Sequence, residues 1–110
     1  MARTTGARQR TWTRATGRTR LWNSMRILRQ FTLPDLVTTA EVSHDNARNY
    51  VRALTRVGIC RVARARRSGF KGAYQVWMLV RDIGPHAPTV QTDDGVWDPN
   101  AHKVYYEDKA

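Results

Sequence analysis

The chain has 110 residues, and its 19 Lys and Arg against 9 Asp and Glu give a formal net charge of +10. That length fits one small domain with tails rather than two full domains, and 41% hydrophobic with 25% charged residues argues against wholesale disorder. The longest apolar run, residues 76–80, falls far short of the roughly 18 residues of a membrane helix, and a lone cysteine excludes an internal disulfide or a cysteine-built zinc site.

The charge is unevenly spread: residues 1–20 sum to +6, residues 21–81 to +8 and residues 82–110 to −4. Sixteen of the basic residues are Arg, whose planar forks match phosphate oxygens and guanine edges as an ammonium does not. Such asymmetry points first to nucleic acid and second to an anionic membrane surface.

Residues 1–19 are rich in Arg, Thr, Gly and Ala, with Trp12 the only large apolar side chain. This composition predicts a flexible basic arm. Three readings of it stay open: a DNA-contacting arm using Arg14, Arg18 and Arg20, an organelle-targeting segment, and a solubilising tail.

Residues 20–31 read as a first helix, with Leu21, Met25, Leu28 and Phe31 on one apolar face and Arg26 and Arg29 outside it. Thr32 then has the form of an N-cap, with Asp35 at the capping-box position and Pro34 in the first turn. Leu36, Val37 and Ala40 make the inner face of this short second helix. Glu41 and Val42 form a tight link to Ser43, a second N-cap candidate. A third helix over residues 44–57 ends at Gly58, where a left-handed residue is favoured. Ala47, Tyr50, Val51, Leu54 and Val57 fall on one side of it. Asp45, Asn49, Arg52 and Arg56 lie opposite, with Arg48 at the flank.

An Arg and Asn face is what reading the major groove requires, since Arg pairs with guanine O6 and N7 and Asn with adenine N6 and N7. The competing reading is an ordinary solvated face, but such faces usually alternate acids with bases. Here the only acid is Asp45, in the first turn.

Beyond Gly58 the period becomes alternating. Residues 59–65 and 73–80 predict two strands of a hairpin, with Arg64, Arg66, Arg67 and Lys71 on or beside a tip that contains Gly69 and Gly72. Tyr74, Val76, Met78 and Val80 share one face of the second strand, and Gln75, Trp77 and Leu79 the other. Both faces carry large apolar groups, so the sequence leaves open which one packs on the helices.

A helix, a Thr-capped short helix, a Ser-capped helix containing Tyr50-Val51 and Leu54 before Gly58-Ile59, and a basic hairpin together resemble the winged helix-turn-helix proteins over residues 20–81. The segments Thr32-Leu33-Pro34-Asp35-Leu36 and Asp45-Asn46-Ala47-Arg48-Asn49-Tyr50-Val51 also look like small winged-helix proteins of Mu-like bacteriophages and prophages. The resemblance implies an α+β fold: three helices and a two-stranded wing, with a basic arm and an acidic tail appended. It also implies a recognition helix contacting DNA through His44, Asn46, Arg48, Asn49, Arg52 and Arg56, and a wing lying over phosphate or an adjacent minor groove through Arg64, Arg66, Arg67 and Lys71. Many such proteins bind as dimers, but no dimerisation helix is evident.

Residues 82–110 depart from that plan. A small hairpin over residues 89–97 is expected around Asp94-Gly95, followed by a turn at Asp98-Pro99-Asn100. Trp97, Tyr105 and Tyr106 are more aromatic side chains than disorder predicts, so part of this extension is expected to pack on the domain or on a partner. Asp93, Asp94, Asp98 and His102 could be imagined as metal ligands, but their spacing matches no calcium loop. The tail's charge could compete with DNA for the basic face, dock another protein, or only solubilise.

No catalytic constellation is visible. His44, His86 and His102 lack an orienting acid and a nucleophile in their sequence context, and Cys60 reads as a buried apolar residue. The sequence therefore predicts a non-enzymatic, cofactor-free chain with no small-molecule substrate and no membrane partner. The leading expectation is a sequence-specific duplex-DNA binder, a transcriptional regulator of phage or bacterial origin working in the cytoplasm on the nucleoid. The alternative is a winged-helix adaptor for protein partners in a replication, transposition or packaging complex. A third option is a non-specific architectural or RNA-binding protein. A homodimer, or a protein partner held through the tail, stays open.

Overall fold

The structure, a computed structural model, describes residues 16–64 and 74–107. Helix α1 spans Gly17–Leu28, three residues earlier at each end than its periodicity suggests. Its start is fixed by Thr16, whose hydroxyl accepts from the Thr19 N–H at 3.2 Å. Its end is fixed by Arg29, which turns to a φ of 69°. Phe31 therefore leaves the helix and enters a two-residue strand, β1 (Gln30–Phe31), while its side chain stays buried.

Helix α2 (Leu33–Ala40) carries the expected capping box: Thr32 accepts from the Asp35 N–H at 3.2 Å, and the Asp35 carboxylate accepts from the Thr32 N–H at 2.9 Å. Helix α3 (His44–Arg56) starts on Ser43, whose hydroxyl accepts from the Asn46 N–H at 3.1 Å. It ends before Gly58, which sits at a φ of 87°. Ala47, Tyr50, Val51, Leu54 and Val57, the predicted inner face, are all buried.

Strands β2 (Cys60–Arg64) and β3 (Val76–Leu79) pair antiparallel, as the alternating pattern predicts. The expected two-stranded hairpin is in fact a three-stranded sheet in the order β1-β3-β2, because Gln30 and Phe31 pair with Met78 and Trp77. Two residues are too short to announce a strand in sequence. Trp77 and Leu79 are the buried pair of β3, so this face packs on the helices, while Tyr74 and Val80 are exposed.

A second antiparallel sheet follows, β4 (Thr89–Val90), β5 (Val96–Asp98) and β6 (Lys103–Tyr105), in the order β4-β5-β6. The predicted hairpin about Asp94-Gly95 joins β4 to β5, with Asp94 at a φ of 70°. Among the described residues, three helices and two small antiparallel sheets make an α+β fold.

The acidic segment is not an appendage. Val96 belongs to the same buried cluster as Trp22, Tyr50 and Leu54, and Ile83, Ala87, Val90 and Tyr105 pack against that cluster. The strap of residues 81–88 is tied down from both long helices. The Trp22 indole Nε1–H donates to the Gly84 carbonyl at 2.9 Å, and the Tyr50 hydroxyl donates to the Pro88 carbonyl at 2.7 Å. Gly84 lies at a φ of 128°, and a Cβ there would come within 2.6 Å of the Asn100 side chain. Asn100 in turn bonds the His86 backbone on both its N–H and C=O. Asp98, only 1% exposed, is satisfied by the Asn100 and Ala101 N–H groups, the Asn100 amide and the Tyr105 hydroxyl.

Cys60 is buried, as expected of a small apolar residue. Burial pushes its thiol up from its ordinary 9.0 to about 12. Burial also raises the Tyr50 phenol; the nearby Arg18 charge opposes this and Cys60 adds to it. The unfolded thiol ionises near pH 9 while the folded one stays neutral. Its contribution to stability is therefore complete below pH 9 and lost as pH rises towards 12. The melting temperature is expected to fall above pH 9, less steeply in Cys60→Ala, and the native thiol should resist a disulfide reagent at pH 8. Rapid native-state labelling would count against this account.

Candidate nucleic-acid interface

The outward side of α3 is built by the same periodicity that buries its inner side. His44, Asp45, Asn49 and Arg52 are exposed, and Arg48 and Arg56 are half-buried along one flank. That flank forms one wall of a cleft of about 580 Å³ against the first sheet. Arg48, Arg52, Thr55 and Arg56 line it from α3, Leu33 from α2, and Val62, Gln75 and Trp77 from the hairpin. The arrangement sets guanidinium groups beside an apolar floor.

Two of these arginines are only loosely committed. Arg48 reaches Asp45, three residues earlier on the helix, at 3.0 Å. Arg56 meets the Asp94 carboxylate of the second sheet at 3.6 Å. The Nε atoms of both are buried without a hydrogen-bond partner among the described residues. Exposed pairs of this kind contribute little to stability.

Other predicted contact residues hold the fold together. The Arg18 Nε–H donates to the Asn46 side-chain oxygen at 2.9 Å, and its guanidinium lies 4.7 Å from the Tyr50 ring centroid. Both residues thus join α1 to α3. Gly17 allows that approach, since a Cβ there would meet Asn46 and Val42 at 3.2 Å. Arg20 donates to the Ala40 carbonyl at 2.7 Å and the Glu41 carbonyl at 3.2 Å, satisfying the C-terminal end of α2. Arg14, Arg66, Arg67 and Lys71 lie outside the described residues.

Arg64 is exposed but stands apart from the cleft. Val62 pairs with Trp77 on the cleft side, whereas Arg61 pairs with Met78 on the other. The register shifts between Val62 and Arg64, so that Arg64 pairs with Val76. Cross-strand partners share a face, and Val76 and Met78 share theirs. The irregularity therefore places Arg64 with Arg61, on the face turned away from α3. Neither the register shift nor the approach of Glu107, which also lines the cleft, has a local sequence signal.

One carboxylate and one phenol outside the cleft lining have perturbed surroundings. Partial desolvation pushes Asp82 up. Hydrogen bonds from Arg26 and the Gly84 N–H, with the charges of Arg26 and Arg29, outweigh it and leave Asp82 below the ordinary range. The charge of Asp93, with some desolvation and a hydrogen bond, raises the Tyr106 phenol above its usual value. Among the described residues no group of three or more His, Cys, Asp or Glu is placed to hold a metal ion, and no helix is long and apolar enough to cross a membrane.

No family model, curated protein or solved structure matches this chain.

Proposed function

We propose that the chain binds duplex DNA, with residues 20–81 acting as a winged helix-turn-helix and α3 as the recognition helix. The observation that carries this reading is the face of α3. Asn49 and Arg52 are exposed at its crest, and Arg48, Arg52 and Arg56 line the cleft between it and the hairpin. An α-helix with side chains, about 10–12 Å across, fits a major groove about 12 Å wide. The element order α1-β1-α2-α3-β2-β3 and the sheet order β1-β3-β2 support the winged-helix reading. The sequence between β2 and β3, which lies outside the described residues, carries Arg66, Arg67 and Lys71.

In this reading Arg48 and Arg52 meet bases or phosphates, Asn49 reads adenine, and the hairpin arginines contact phosphate. Base contacts specify and phosphate contacts position. The role that follows is a sequence-specific transcriptional regulator, of the phage or bacterial kind its motifs resemble, acting on DNA in the cytoplasm.

Selection of bound sites from a random duplex library tests this. Arg52→Ala or Asn49→Ala should relax preference at one position of the selected site by ~1–3 kcal/mol. Arg67→Ala should weaken all sequences about equally. The reverse pattern would exchange the roles of helix and hairpin.

A second reading, an adaptor for protein partners, is favoured by the apolar side chains left exposed: Ile27 at 80%, Tyr74 at 55% and Val80 at 49%. No binding to any duplex at any salt would favour it.

A further inference from the structure

A sheet carrying carboxylates is fixed beside the C-terminal half of α3. Asp94, at the β4–β5 turn, points its Oδ1 at the Arg56 guanidinium from 3.6 Å. Glu107, just past β6, lines the same cleft as Arg48, Arg52 and Arg56.

The Asp94 carboxylate does not hang on a loose tail. The turn is closed by the Gln91 N–H donating to the Gly95 carbonyl at 2.8 Å and the Asp94 N–H donating to the Gln91 carbonyl at 3.2 Å. The Gly95 N–H donates to the Asp93 carboxylate at 3.0 Å. Gly95 lies so close to β6 that a Cβ would come within 2.9 Å of Val104 and Tyr106. Behind the sheet, Val96 is fully buried, and Tyr50 of α3 itself holds the strap that leads into β4.

The Arg56–Asp94 contact does little as a stabilising pair, since Asp94 is 80% exposed. Its position has a different effect. A phosphate reaching Arg56 must displace Asp94 and come to rest near Glu107. The negative charges of Asp94, on its closed turn, and of Glu107 then oppose a third.

We infer that Asp94 and Glu107 are a fixed intramolecular competitor for the arginines at the C-terminal half of α3, and that they hold down sequence-independent attachment to the phosphate backbone. This rests on the DNA-binding reading and adds to it a determinant of how strongly the chain holds DNA in general. Non-specific affinity comes almost wholly from phosphates, so it is the quantity these carboxylates set.

The test uses the full chain and a fluorescent random-sequence duplex, titrated by anisotropy from 50 to 300 mM salt. Four proteins are compared: wild type, the D94N/E107Q double variant, R56Q and the triple variant. Asn tolerates the left-handed backbone found at position 94, and circular-dichroism melts check the fold of all four. D94N/E107Q should bind about three- to tenfold more tightly at 50 mM salt, with a slope of log K against log salt steeper by about 1. In the R56Q background the same pair of substitutions should yield less than half that gain, because its main beneficiary is gone. Wild-type binding with an unchanged D94N/E107Q would overturn the inference and leave the DNA reading standing. A gain undiminished by R56Q would also overturn it, since total charge rather than this contact would then be responsible. Failure of all four proteins to bind at 50 mM would overturn the DNA reading, and the inference with it.

Discussion

Trp22→Ala is expected to destabilise the protein by about 3–5 kcal/mol, a large share of the roughly 5–15 kcal/mol that holds a domain of this size together. Trp22 is completely buried in α1, and its loss removes more than volume. Its indole N–H satisfies the Gly84 carbonyl, the point at which the strap of residues 81–88 crosses the helices. Trp22→Phe keeps much of the packing but loses the hydrogen bond and part of the ring volume, so it should cost less, about 2–3 kcal/mol. Urea denaturation followed by far-ultraviolet circular dichroism separates the two. A cost below about 1 kcal/mol for Trp22→Ala would count against the burial of Trp22 beneath the strap.

The affinity for a duplex should fall about 10³- to 10⁴-fold between 50 and 200 mM salt, from a slope of log K against log salt near −5 to −7. That slope corresponds to six to eight neutralised phosphates. Under the proposal the cations that would supply them are Arg48, Arg52 and Arg56 along α3, with Arg64, Arg66, Arg67 and Lys71 from the sequence that follows it. A slope near zero on a duplex bound at low salt would remove the phosphate contacts on which the proposal depends. The same titration on single-stranded DNA and on RNA distinguishes duplex recognition from a general liking for polyanions.

What the sequence made legible was local. The capping box of Thr32 and Asp35, the Ser43 cap and the Gly58 stop each act within four residues. Propensity and hydrogen-bond chemistry at that range survive folding unchanged. Phe31 shows where such reasoning fails. Its position suits the apolar stripe of a helix and the inner face of a strand equally well, and only pairing with the distant Trp77 decides.

The arginines show a second limit. Composition counts Arg18, Arg20 and Arg52 as equal cations. One crosses to Asn46, one caps α2 and one faces solvent, and these fates depend on which carbonyl or amide the fold brings near. The acidic extension was legible as a hairpin, but its anchors, Trp22 to Gly84 and Tyr50 to Pro88, span 62 and 38 residues. No sequence window contains both ends.

Tyr50 belongs to the buried side of α3 and grips Pro88 with its hydroxyl, while one residue earlier Asn49 faces outward. The helix proposed to read DNA is thus also a structural post for the strap that leads into β4. A chain cut after residue 81 would not be a trimmed DNA reader. It would be an open core, with the indole of Trp22 and the phenol of Tyr50 both turned towards water. Helices and second sheet are therefore expected to open as one cooperative unit and to exchange their amide protons together.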